Sequence, residues 1–71
     1  MKEWTVYDRE MLYMAAKDFG FEIVAEHDNA VSLSIALREK LSGTPAGQRL
    51  GAGHVGDIAD RAAARIFEVR S

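Results

Sequence analysis

Gly51-Ala52-Gly53-His54-Val55-Gly56 spells G-x-G-x-x-G, and the fold class turns on how this run is read. Behind a buried strand and ahead of a helix, such glycines bring the backbone close to a pyrophosphate. The helix N-terminus then supplies free N–H groups. A helix does follow, because Asp57 to Val69 carries a helical pattern. No strand precedes it: Gly43-Thr44-Pro45-Ala46-Gly47-Gln48-Arg49-Leu50 has neither an apolar run nor alternation. The acidic residue that would hold a ribose belongs about 20 residues on, at or beyond Ser71. Asp57 also places a carboxylate where a phosphate would sit. The run therefore argues against an α/β nucleotide fold. Phosphate or nucleotide binding at Gly51–Gly56 ranks third among the functional readings.

Five of the six glycines fall within residues 43–56. Each costs about 1 kcal/mol in a helix interior relative to alanine, so this stretch is expected to be a Gly-rich loop with some helical turns. Thr44-Pro45 has the form of an N-cap followed by N1 proline. The spacings Gly47-x3-Gly51 and Ala52-x3-Gly56 would give a smooth helical face if the glycines were tolerated.

Three helices are expected outside it. Val55, Ile58, Ala59, Ala62, Ile66 and Val69 repeat at helical spacing, which predicts a helix over 56–69 with Asp57 and Arg61 as an i, i+4 pair. Asp8 as N-cap and Gly20 as C′ residue predict a first helix over 9–19, after a short extended segment at 2–7. Met11, Leu12, Tyr13, Met14, Ala15, Ala16 and Phe19 make that helix apolar on most sides. A small protein can bury such a helix by packing it on a second chain. Residues 21–42 read two ways. Phe21, Ile23 and Ala25, then Val31, Leu33, Ile35 and Leu37, alternate as in a hairpin over 21–37. Alternatively Asp28 caps a helix over 29–42 with Leu33, Leu37 and Leu41 on one face. The all-α, three-helix reading is preferred, with α+β as the alternative.

Seventy-one residues make one small domain. A core of that size supplies about 3–5 kcal/mol, and there is no cysteine to add a disulfide or thiolate site. A homodimer is the expected extra source of stability. Net charge is −2, with the acid excess in residues 1–28 and six scattered basic residues after them. That is a poor footprint for nucleic acid. Residues 3–42 can be forced into the strand-helix-helix order of dimeric ribbon-helix-helix repressors. However, Glu3, Thr5 and Tyr7 do not make a basic strand. A helix-turn-helix over 33–50 puts Glu39 where a small residue should pack.

His27-Asp28 lacks the further histidine of a metal-dependent phosphohydrolase, and His54 with Asp57 lacks a nucleophile. Two lone histidines make no zinc pattern. No catalytic residue, metal or cofactor is expected, and the chain reads as non-enzymatic. It has no apolar leader after Lys2-Glu3 and no stretch long enough for a membrane span, which fits a cytoplasmic protein. A short acidic chain opening on its own Met1 suggests a stand-alone regulator, inhibitor or adaptor of a larger protein. A small DNA-binding regulator is the alternative. Trp4, Tyr7, Met11, Met14, Arg61 and Arg65 are the expected partner contacts, since aromatic and arginine side chains dominate interfaces.

Overall fold

A computed structural model describes residues 4–70, and within them the chain is all-α. Helices α1 (Val6–Ile23), α2 (Ala30–Ser42), α3 (Pro45–Leu50) and α4 (Ala52–Arg70) follow in order, with a single 3-10 turn at Val24–Glu26 after α1. There are four helices rather than three, and no strand among the described residues. The alternative hairpin over 21–37 is excluded: those residues form the end of α1, the 3-10 turn and the first part of α2, as the preferred helical reading expects. Asn29, not Asp28, caps α2: its Oδ1 accepts the Ser32 N–H at 2.8 Å. Once that turn closes, Leu33, Leu37 and Leu41 fall on one buried face, and burial at helical spacing outweighs the alternating pattern.

The first helix begins three residues earlier than expected. Thr5 is its N-cap, and Asp8 is the N3 residue of a capping box. Thr5 Oγ1 accepts the Asp8 N–H at 3.2 Å, and Asp8 Oδ2 accepts the Thr5 N–H at 2.8 Å. The extended segment expected at 2–7 is therefore overturned at Val6 and Tyr7; residues 2 and 3 lie outside the described residues. Gly20 does not end the helix. It is buried at the α1–α4 crossing, where a Cβ would overlap Ile66 Cδ1, so its glycine serves close packing rather than a C-cap.

The expected loop over 43–56 is a short helix and the first turn of a long one. Thr44 caps α3, accepting the Gly47 N–H at 3.0 Å while its hydroxyl donates to the Leu41 carbonyl at 2.7 Å. Pro45 sits at N1 as its fixed φ favours. Between α3 and α4 only one residue leaves the helical path. Gly51 has φ 96° and ψ 164°, a conformation open essentially to glycine alone. The glycine density is thus resolved by one turn, not by a long loop.

α4 is the hub, packing on α1, α2 and α3. Its Val55, Ile58, Ala59, Ala62, Ala63 and Ile66 are buried, and they meet Leu12 and Ala16 of α1, the three leucines of α2 and Leu50 of α3. The alanines keep this face thin, so two helices can approach it together. Ion pairs tie the layers at the surface: Arg9–Asp57 (2.8 Å, α1 to α4), Arg49–Asp8 (3.3 Å, α3 to α1) and Arg38–Asp60 (3.6 Å, α2 to α4). Ser34 donates to the Asp60 carboxylate beneath the last of these. The molecule is elongated, 41 × 18 × 17 Å.

Candidate protein interface

α1 has two faces. Leu12, Ala16 and Gly20 point into the core. On the opposite side Tyr7, Met11, Met14 and Phe21 are bare, 68, 47, 59 and 46% exposed. At 100° per residue these four lie within one narrow stripe, with Asp18 in line between Met14 and Phe21. The helix expected to be apolar on most sides thus has one face buried in its own chain and another that no described residue covers. Exposed apolar residues scattered singly are ordinary, whereas a contiguous row of large ones marks an interaction face.

Three of the six expected contact residues, Tyr7, Met11 and Met14, stand on this stripe. Trp4 does not. It is half-buried against the core, and its ring meets the His54 ring edge-on with centroids 4.3 Å apart. Arg61 and Arg65 lie on α4, exposed but engaged: Arg61 pairs with Asp57 at 3.2 Å and Arg65 with Glu68 at 2.6 Å. With Trp4, Arg9, Glu10 and Tyr13 they line an open groove of about 800 Å³ between α1 and α4. Three arginines, Arg9, Arg61 and Arg65, and two glutamates, Glu10 and Glu68, supply its charges.

Phe21 reads as part of the alternating segment because ending the helix at Phe19 cuts the stripe short, and Asp18 falls outside the apolar face because it is charged. The signal was present as a 4-3-4-3 spacing through 7, 11, 14, 18 and 21. A smaller apolar spot, Val31 and Ile35, lies exposed on α2.

The polar constellations weighed as chemistry have structural partners. His27 Nδ1 lies 2.6 Å from Ser32 Oγ at the start of α2. His54 is against Trp4, while Asp57 faces Arg9 and Arg61, so these two do not form a base and its orienter. Their carboxyl chemistry follows. The Arg9 guanidinium, assisted by Arg61, holds Asp57 below its ordinary pKa. The Thr5 backbone N–H, then Arg49, does the same for Asp8. No cluster of three metal-ligating side chains occurs among the described residues, and no helix there is long and apolar enough to cross a membrane. Ahead of Gly51 stands helix α3 rather than a strand, so the strand–turn–helix setting of a dinucleotide site does not exist here. The sequence matches no protein-family model, and no curated protein or solved structure is significantly similar to it.

Proposed function

We propose that the chain is a small protein-binding module without catalysis of its own, a regulator, inhibitor or adaptor of a larger protein that works as a homodimer. One observation carries this reading: the uncovered row Tyr7, Met11, Met14 and Phe21 on the side of α1 opposite the core. In a core of so few residues, leaving four large side chains in water forgoes stability that association would recover. Methionines suit a surface that must pack on another, because the flexible thioether fills irregular gaps. The groove of Trp4, Tyr13, Arg61 and Arg65 is then the face offered to the larger protein, since the apolar row of the seam lies outside it.

The test is mass by light scattering during gel filtration. The wild-type chain should run at twice its 7.8 kDa. Met14→Glu should run as a folded monomer, with helical circular dichroism retained, because position 14 touches nothing in the core. A mutant dimer of unchanged affinity would refute the placement of the seam on α1.

A further inference from the structure

The row on α1 is a seam in which both sides come from the same helix, so its own charges must agree with the pairing. Tyr7, Met11, Met14, Asp18 and Phe21 fall at d, a, d, a and d of a heptad frame. In that frame Glu10 and Lys17 occupy successive g positions flanking the seam. Asp18 and Glu10 make no hydrogen bond or ion pair among the described residues, and Lys17 makes only a contact over the Tyr13 ring at 5.6 Å. Three charges beside or within an apolar row thus stand without an ionic partner among the described residues.

A parallel pair would set Asp18 against Asp18 of the second copy, inside the seam. Like charges there are costly. In an antiparallel pair, a positions meet d positions and g positions meet g. Three heptad registers overlap usefully. In one, Glu10 meets Glu10 of the second copy. In another, Lys17 meets Lys17. Only the register between them sets Glu10 against Lys17, twice by symmetry. That same register places Met11 against Met14 at the centre. It places Tyr7 beside Asp18, where the phenol O–H can donate to the carboxylate that otherwise lies unsatisfied in the seam. Charge, polarity and shape thus select one arrangement.

Resting on the reading of this row as a seam, we infer that two copies of the chain pair through antiparallel α1 helices, Met11 on Met14, with reciprocal Glu10–Lys17 bridges and Tyr7–Asp18 hydrogen bonds. The row spans about 21 Å of helix at 1.5 Å per residue. The two bundles lie on opposite sides of the seam, because the core face of α1 points away from it.

Charge exchange tests the register. Glu10→Lys and Lys17→Glu should each weaken the dimer several-fold by sedimentation equilibrium. The double variant should return it close to wild type, since every facing pair is again opposite in sign. In a parallel pair the double variant would instead set residue 17 against Glu22 with like charge, so failure to recover would overturn the inference. Cysteine cross-linking gives the orientation directly, because the chain has no cysteine. An oxidised mixture of Met11→Cys and Met14→Cys chains should yield the mixed disulfide, and Tyr7→Cys alone should not link to itself. Self-linking of Tyr7→Cys in a dimer would overturn the antiparallel arrangement while leaving the seam on α1. A wild-type monomer would overturn the seam itself.

Discussion

Gly51 and Gly53 stand two residues apart and answer to different constraints. Neither has an atom within 4 Å of where a Cβ would sit, so space does not separate them. Backbone does. Gly51 holds φ at 96°, and alanine there should cost about 1–3 kcal/mol. Gly53 lies in α4 with ordinary helical dihedrals, and alanine there should stabilise by about 0.4–1 kcal/mol. Thermal melts of the two single variants should therefore move in opposite directions. Equal shifts would show that the α3–α4 turn does not need its left-handed glycine. The glycine motif is legible on the same terms. Its letters spell a phosphate loop, but only one of its three glycines is used for its backbone freedom, and that one turns a helix into a helix.

At the scale of elements, α1 is joined to α3 and α4 by charges as well as by packing, and acid should reveal it. Asp8 and Asp57 both titrate below their ordinary value of 3.8, the first because of the Thr5 N–H and Arg49, the second because of Arg9 and Arg61. A depressed folded-state pKa stabilises above the unfolded value, and that contribution is lost as pH falls through the folded one. The melting temperature should hold from pH 7 to pH 5 and fall once pH drops below about 3.8. Asp57→Asn should flatten the fall, and an unaltered profile would remove the pair from the account. Helix positions were legible wherever a cap and a periodic face agreed, as at Asn29 with the α2 leucines, or Thr44-Pro45. They were misread where a residue had two uses. Asp8 can cap a helix or close a capping box from N3, and only the preceding Thr5 decides. Gly20 can end a helix or let one cross another, and only Ile66, 46 positions away, decides. Most of the candidate interface was legible as apolar excess on α1. Its far end was hidden by the same glycine, and the place of Trp4 off the stripe was hidden because the ring it meets, His54, lies 50 positions away.

For the whole molecule, stability and association should be one measurement. Leu37 is fully buried between α1 and α4, its methyls near Gly20. Leu37→Ala should cost about 2–5 kcal/mol, comparable with all that a core of this size provides. The variant should be largely unfolded at low concentration and recover structure as concentration rises, because a dimer that forms only from folded chains pulls the equilibrium back. Unfolding curves in urea at two concentrations fifty-fold apart would show it as a shifted midpoint. Coincident curves would mean that the folded monomer stands alone.

The central place of α4 also governs when folding can start during synthesis. α1 and α2 meet chiefly through α4, so Leu12, Leu33 and Leu37 lack most of their packing surface until residues 52–66 have been made. Translation at about 5–20 residues per second separates the end of α2 from Ile66 by one to several seconds, far longer than helices take to form. Throughout that interval both sides of α1 are bare on the nascent chain. One side is covered when the chain's own last helix arrives; the other is the side on which the proposed second copy would settle.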